Sequence, residues 1–307
     1  MISSLLAQNS LKDQLKARSD QAAKQVPAEV RAEFAKGIKA VDDSGIEKSA
    51  KNVGDKAPDF TLKDPVGLDI TLSAALKNGP IVLTWYRGGW CPYCNIALAA
   101  YQEKLAEIRA AGADFVALTP ELPDKSMTTT EKLKLDFTIL TDLNHDVARK
   151  YGLVFKLTPE VEKLYKSFFD LTKFNGNAAG DKELPLSATY IIDEKGVIRW
   201  AFVNADYRQR AEPAEIVAFL EKRKAEKKQM FRRQRPRDSA TGCGKKILLA
   251  SSPCLGNKTV CHIFLSSEAD LRDCGQPKLL PAPVPRSRSV IRSARWVGSS
   301  WWLEREG

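Results

Sequence analysis

The 307-residue chain is 43% hydrophobic and 28% charged, a composition typical of a globular protein. No apolar run approaches the ~20 residues that a membrane-spanning helix needs. Residues 1–6 also lack the basic and apolar regions of a targeting leader, so we expect a cytosolic protein without a membrane partner. The formal net charge of +10 is concentrated at one end: residues 229–307 hold 14 Lys and Arg against 6 Asp and Glu, whereas residues 1–228 hold 34 against 32. The nearly neutral larger part therefore gives no electrostatic support for nucleic-acid binding.

Residues 1–50 are predicted to form an N-terminal helical arm. Four apolar residues recur at helical spacing after Pro27, namely Val30, Phe34, Ile38 and Val41. The run Asp-Asp-Ser-Gly at residues 42–45 ends this pattern. Because the four apolar residues share one helix face, we expect the arm to pack that face on the rest of the chain.

Residues 51–228 alternate between strand-like and helix-like patterns. The predicted strands cover residues 57–62, 68–72, 81–84, 114–119, 137–142, 188–193 and 197–203, the first two and the last two forming hairpins. The predicted helices cover residues 73–77, 95–111, 125–134, 144–151 and 159–169, with another that begins at Pro213. Residues 156–186 read as an insertion. The alternation implies parallel central strands, and the hairpins imply a mixed sheet flanked by helices.

Residues 229–307 are predicted to be a basic, poorly ordered tail. Arginine replaces lysine as the dominant basic residue there, and no sustained periodicity is present. Four of the six cysteines lie in this tail. Its Arg and Trp content leaves adhesion to nucleic acid or membranes open for this segment alone.

The chemistry is concentrated at Cys91-Pro92-Tyr93-Cys94, between the strand at 81–84 and the following helix. Cys91 is expected at the N-cap and Pro92 at the first helical position, where no intrahelical hydrogen bond is lost. The free N–H groups and the dipole of a helix N-terminus stabilise a thiolate and lower the pKa of a cysteine. Arg87, four residues upstream, either adds positive potential or is a solvated loop residue.

Two other interpretations of the cysteine pair are weaker. A structural zinc site needs four ligands, whereas the pair supplies two and the only histidine before the tail is His145. An inert, buried pair does not explain the position at a strand–helix junction. We therefore expect redox chemistry, without a metal or a cofactor.

At this point the residues carry a resemblance to a known family. Residues ~50 to ~222 resemble the peroxiredoxin-like, CxxC-containing branch of the AhpC/TSA superfamily. The similar stretches are residues 53–60, 85–95, 189–193 with Gly196, and 206–213. The resemblance implies an α/β thioredoxin-like fold, peroxide as the substrate and a thioredoxin-type reductant. It leaves the oligomeric state open, a homodimer included.

The resemblance also gives each cysteine a role. The family motif Pro-x-x-x-Thr/Ser-x-x-Cys ends on a peroxidatic cysteine, which here falls on Cys94. Cys91 then stands at the Thr/Ser position and Arg87 at the Pro position. The family's later arginine would fall near Ser187, so two usual helper residues are expected to be missing. In thioredoxins, by contrast, the first cysteine of the pair, here Cys91, is the nucleophile.

Three functions stay open on these residues. In the preferred one, Cys94 attacks hydrogen peroxide or an organic hydroperoxide, and Cys91 resolves the sulfenic acid as a disulfide. In the second, Cys91 attacks a substrate disulfide and Cys94 resolves the mixed disulfide. In the third, the chain is a non-enzymatic interaction module with a vestigial pair.

The remaining candidates receive structural interpretations. Asp206, Tyr207 and Arg210 precede a helix and could approach the active site, but we expect them to form a surface turn and helix cap. His145 is expected to be a capping or surface residue. Trp85 and Trp90 are expected to pack beside the motif, and Tyr93 to be exposed on the turn, where it could touch a partner.

Overall fold

The computed structural model describes residues 10–176 and 182–234. Its helices are α1 Leu11–Gln25, α2 Ala28–Asp43, α3 Ile46–Ser49, α4 Leu72–Ala75, α5 Pro92–Ala110, α6 Pro123–Leu133, α7 Asp146–Lys150, α8 Pro159–Phe168 and α9 Pro213–Gln234. Its strands are β1 Thr61–Lys63, β2 Asp69–Thr71, β3 Ile81–Trp85, β4 Asp114–Thr119, β5 Thr138–Thr141, β6 Val154–Lys156, β7 Glu183–Pro185, β8 Ser187–Ile192 and β9 Ile198–Asn204. None of the helices in these residues is both long and apolar enough to cross a membrane.

Seven strands form one mixed sheet in the order β2-β1-β5-β4-β3-β8-β9. The central strands β3, β4 and β5 are parallel, because helices α5 and α6 connect them as crossovers. The hairpins β1–β2 and β8–β9 pair in antiparallel fashion at the two sides. The predicted α/β class with a mixed central sheet flanked by helices is therefore confirmed. Strands β6 and β7 pair separately and bracket the predicted insertion.

One hydrophobic cluster lies on each face of the sheet. On one face, α1, α5 and α9 cover inward-facing residues of the central strands, such as Phe115 and Ile191. The apolar stripe predicted for α5 is buried there, through Leu98, Tyr101, Leu105 and Ile108. On the other face, α4 and α7 pack against residues such as Leu83 and Leu140. Helices therefore flank both faces, as the sequence pattern predicts.

The N-terminal arm is docked on this core. Leu11 and Leu15 of α1 are buried in the cluster that contains Tyr93. The Glu212 carboxylate accepts hydrogen bonds from the first N–H groups of α1, at 3.3 Å from Leu11 N and 2.6 Å from Lys12 N. A carboxylate at this position satisfies free donors and complements the helix dipole. The arm is therefore held by contacts at its first turn.

Helix α2 completes the arm by packing on α8. Gly37 approaches Val161 so closely that a Cβ at Gly37 would lie 2.7 Å from a Val161 methyl group. The rings of Phe34 and Tyr165 meet edge to face at 5.6 Å. The predicted tail begins inside α9, which runs to Gln234, and the rest of the tail lies outside the described residues. The domain boundaries at residues 50 and 228 stay predictions.

Candidate active site

A glycine turn connects β3 to the cysteine pair. Gly88 has φ +147°, and a Cβ there would lie 2.2 Å from the Trp90 indole nitrogen. Cys91 N donates to Gly88 O at 3.0 Å, and the Asn95 side chain donates to Gly89 O at 2.8 Å. Only glycine fits the backbone at position 88, and the turn fixes where helix α5 begins.

Both cysteines lie at the start of α5, as predicted. Cys91 is the N-cap residue and Pro92 the first helical residue. Cys94 N donates to Cys91 O at 3.0 Å within the first turn. Both thiols are free in this structure, and they are buried, with Cys91 2% and Cys94 0% exposed. The prediction of an exposed turn is therefore wrong.

Tyr93, expected to be exposed between the cysteines, is buried as well. Its ring packs edge to face on Tyr207 at 5.7 Å. Leu11 and Leu15 of α1 belong to the same cluster. The sequence interpretation failed because it did not place the arm over this turn.

Arg210 contacts the thiol of Cys94. Its Nη2 atom donates to Cys94 Sγ at 3.3 Å, and its Nη1 atom donates to Gln209 O at 2.8 Å and to Tyr207 O. The Tyr101 hydroxyl of α5 donates to Ala211 O at 3.0 Å and holds this segment against the helix. The interpretation of Tyr207 and Arg210 as surface-turn residues is therefore wrong.

The family's later arginine is absent near Ser187, as expected from the sequence. Ser187 is buried at the start of β8, as its sequence position suggested, and it brings no cation to the thiols. The cation comes instead from Arg210, which is 116 positions after Cys94. Asp206 remains a turn residue, with its carboxylate 2.8 Å from the guanidinium of Arg208.

Arg87 is buried in an aromatic cage and is not a solvated loop residue. Its guanidinium lies 4.1 Å from the ring centre of Tyr207, 5.0 Å from that of Trp90 and 5.7 Å from that of Tyr165. It also donates a hydrogen bond to the Tyr165 hydroxyl. Such faces stabilise a cation without neutralising it. In the part of the chain that the structure describes, neither Arg87 nor Arg210 forms an ion pair with a carboxylate.

The two thiols interact with each other, and their pKa values shift in opposite directions. Burial opposes ionisation of Cys94, but the hydrogen bond with Cys91 and the charges of Arg210 and Arg87 hold the pKa of Cys94 well below its usual range. Burial raises the pKa of Cys91 well above its usual range, and the hydrogen bond and charge of Cys94 add to this rise. Arg210 donates its hydrogen bond to Cys94, which favours Cys94 over Cys91 as the thiolate of the pair.

Glu121 is a buried acid that the sequence analysis did not single out. It is 1% exposed and accepts hydrogen bonds from Gly89 N at 2.7 Å and from the Tyr86 hydroxyl at 3.0 Å. Burial raises the pKa of Glu121 to about 7, against the effect of these two hydrogen bonds. Its position just after β4, at the same sheet edge as the end of β3, was the available signal.

The remaining candidates lie mainly in packing positions. Trp85 is buried and contacts Tyr151 and Tyr190, at ring distances of 4.8 and 5.9 Å, as a packing residue should. His145 is the N-cap residue of α7, as predicted, but it is buried and not on the surface. Among the described residues, no group of three or more His, Cys, Asp and Glu side chains is arranged to hold a metal ion.

Part of the chain is similar to known proteins. Residues 53–201 match the AhpC/TSA family. A chloroplastic peroxiredoxin Q of Populus jackii is 26% identical over 153 residues, which cover 50% of this chain and 61% of the relative. Peroxiredoxin Bcp of Escherichia coli strain K12 is 28% identical over 100 residues, covering 33% of this chain and 64% of the relative. The match thus spans somewhat under two thirds of each of these relatives.

A solved structure matches a similar share of this chain. Peroxidoxin BcpB from Mycobacterium tuberculosis superposes with a TM-score of 0.44 and 21% identity, covering 56% of this chain and 97% of that one. The segment that matches the family, residues 53–201, contains the cysteine turn. Over residues 53–201, the chain is therefore peroxiredoxin-like, with a thioredoxin-like fold and similarity to the AhpC/TSA family.

Proposed function

We propose that the chain is a thiol-dependent peroxidase that reduces hydrogen peroxide or an organic hydroperoxide. Cys94 is the thiolate that attacks the peroxide, and Cys91 is the thiol that resolves the oxidised product. The observation that carries the proposal is the hydrogen bond from Arg210 to Cys94 Sγ, 3.3 Å long in a buried site. A thiolate is the reactive form of cysteine toward peroxide, and a buried guanidinium favours that form. Relatives named peroxiredoxin Q and Bcp support the same chemistry.

In the first step, the Cys94 thiolate forms an S–O bond with one peroxide oxygen. The O–O bond breaks, and its electron pair leaves with the second oxygen, which takes up a proton as water or an alcohol. Cys94 becomes a sulfenic acid. Because this step removes the negative charge from Cys94, it also removes one of the causes that raise the pKa of Cys91.

In the second step, Cys91 attacks the sulfur of the Cys94 sulfenic acid. The S–O bond breaks, and the hydroxide takes the Cys91 proton and leaves as water, so that a 91–94 disulfide remains. The CxxC spacing within one helical turn brings the two sulfurs close. The backbone N–H of Cys94 donates a hydrogen bond to Cys91 O at 3.0 Å in that turn. A thiol must then return two electrons to the disulfide.

The family resemblance suggests a thioredoxin-type protein as this electron donor. The surroundings of Cys91 limit which donors can act, because the donor's thiol must contact whichever sulfur of the disulfide is accessible. The cytosolic location and a homodimer remain predictions from the sequence.

Single-turnover measurements test the roles of the two cysteines. Cys91→Ser should still consume one equivalent of peroxide in a rapid burst, because Cys94 and Arg210 are retained. Cys94→Ser should abolish that burst. Stoichiometric peroxide should convert the wild-type protein to the internal disulfide, seen by mass spectrometry after alkylation of free thiols.

Two outcomes would contradict the proposal. If Cys91→Ser loses the burst while Cys94→Ser keeps it, Cys94 is not the primary nucleophile. If wild-type protein reduces insulin disulfides vigorously but leaves peroxide unconsumed, the protein is a disulfide reductase.

A further inference from the structure

A cleft of about 660 Å³ lies between the N-terminal arm and the cysteine turn. Cys91, Pro92 and Tyr93 are among the residues that line it. One wall is aromatic, with Trp90 and Tyr165, and helices α1 and α2 supply the opposite wall, largely through alanines. The volume falls in the range of about 300–1,000 Å³ that is typical of small-molecule sites.

The cleft gives access to one cysteine only. Cys91 lines it, whereas Cys94 is fully buried and is not among its lining residues. A thiol that enters the cleft therefore meets Cys91 first. In the 91–94 disulfide, Cys91 is the sulfur that a reductant would attack.

The charge of the cleft has one sign. Four arginines line it, namely Arg18, Arg31, Arg87 and Arg208. Among the residues that the structure describes, no Asp or Glu lines it. The charge of Arg208 is already balanced by Asp206, with contacts of 2.8 and 3.1 Å. Arg18 and Arg31, both from the arm, form no ion pair with a described acidic side chain. They leave the cleft electropositive.

The arm also limits the size of what can reach Cys91. Helix α1 is fixed by Leu11 and Leu15 in the core and by the Glu212 carboxylate at its first turn. Helix α2 is fixed by the close contact of Gly37 with Val161. A protein reductant would have to displace these helices before its own cysteine could contact the Cys91 sulfur. A small molecule would not.

On the basis of the proposed function, we infer that the thiol which reopens the disulfide is a small molecule bearing carboxylate groups, about the size of a tripeptide, bound in this cleft. Its carboxylates would pair with Arg18 and Arg31, and its thiol would lie at Cys91. This differs from the thioredoxin-type protein that the family resemblance suggests.

The exchange balances with two molecules of this thiol. The thiolate of the first attacks Cys91 Sγ, the S–S bond breaks, and Cys94 leaves as the thiolate that Arg210 stabilises. A leaving thiol of low pKa departs faster, so attack at Cys91 is also favoured chemically. The second molecule attacks the sulfur of the first, and Cys91 leaves and takes up a proton. The products are the reduced protein and the disulfide of the small thiol.

The test begins from the 91–94 disulfide made with diamide, so that it does not depend on peroxide. Its reduction is followed by acid quenching, alkylation and mass spectrometry, with glutathione, glutathione diethyl ester or thioredoxin as the reductant. Glutathione should react faster than the ester, whose carboxylates are neutralised. Thioredoxin, at equal concentration, should react more slowly than it does with insulin.

Variants locate the effect in the cleft. Arg18→Ala combined with Arg31→Ala should slow glutathione about three- to tenfold, as expected for two solvent-accessible charge pairs. The same change should leave the rate with the ester nearly unaltered. Lys24→Ala is the matched control, because it removes a positive charge from α1 at an exposed position outside the cleft lining.

The inference is overturned if glutathione and its ester reduce the disulfide at the same rate. The same conclusion follows if Arg18→Ala combined with Arg31→Ala slows reduction by neither reagent. The inference is also overturned if thioredoxin reduces the disulfide as fast as it reduces insulin. Failure of the proposed function would look different: peroxide would then not generate the disulfide, while the diamide-made disulfide would still report on the cleft.

Discussion

Replacing Arg210 tests the contact on which the site depends. Arg210→Met removes the hydrogen bond to Cys94 Sγ and keeps an unbranched side chain of similar length. A hydrogen bond to a charged group contributes about 1.5–3 kcal/mol. Since one pKa unit corresponds to about 1.4 kcal/mol, the substitution should raise the pKa of Cys94 by about 1–2 units.

The expected result is a shift in the pH dependence of the peroxide reaction. The reaction rate follows the thiolate fraction, so a higher pKa moves the half-maximal rate upward by about 1–2 pH units. Below the wild-type midpoint, the rate should fall about 10–100-fold. The measurement is single-turnover peroxide consumption against pH in a Cys91→Ser background, where Cys94 is the only thiol of the pair.

Two further variants make the result specific. Arg210→Lys keeps the charge but not the planar guanidinium. The midpoint of its pH–rate profile should therefore lie between that of the protein with Arg210 and that of Arg210→Met. Arg109→Met removes an arginine from the far end of α5, where its side chain is 46% exposed, and it should leave the midpoint unchanged. An unaltered midpoint in folded Arg210→Met would refute the view that Arg210 holds the thiolate.

Three other substitutions probe the supports of the site. Tyr101→Phe removes the hydrogen bond to Ala211 O, so it should slow the peroxide step severalfold, and a double-mutant cycle with Arg210→Met should be non-additive. Glu121 is stabilising when protonated, because its folded pKa of about 7 exceeds its unfolded value. The wild type should therefore lose about 2–3 kcal/mol relative to Glu121→Gln between pH 5 and pH 8 in urea unfolding, and parallel stability profiles would contradict this. Leu15→Ala removes a buried side chain of the arm, so it should destabilise the protein by about 2–5 kcal/mol. It should also speed alkylation of Cys91 by a bulky maleimide. An unchanged alkylation rate would show that the arm does not limit access to Cys91.

The parts of the fold that were predicted correctly are those determined by local sequence. The stripe Leu98, Tyr101, Leu105 and Ile108 has a helical period and is buried on one face, whereas the apolar run at 81–84 is short, as is typical of a strand buried on both faces. The cysteine pair was placed correctly for the same reason, since Pro92 fixes the first helical residue and Cys91 the cap. These features need no knowledge of distant residues.

The parts that were predicted wrongly depend on contacts between distant segments. Arg210 reaches Cys94 from 116 residues away, and nothing in residues 206–213 distinguishes a buried arginine from a surface one. Tyr93 is covered by an arm whose own sequence reads only as amphipathic helix. Glu121 is an ordinary acid after a strand until the packing of Tyr86 and Gly89 around it is known.

The charge balance of the site links its two half-reactions. Arg87 and Arg210 are buried, and no described carboxylate pairs with either, so the Cys94 thiolate is the negative charge that they face. Attack on peroxide removes that charge and leaves two cations beside a neutral sulfur. An uncompensated buried charge is costly, so the oxidised site favours whatever restores a negative charge there. Ionisation of Cys91 does so first, and the departure of Cys94 as a thiolate during reduction does so again. The same two arginines therefore promote the ionisation of Cys91 before resolution and the departure of Cys94 during reduction, so one electrostatic arrangement serves both half-reactions.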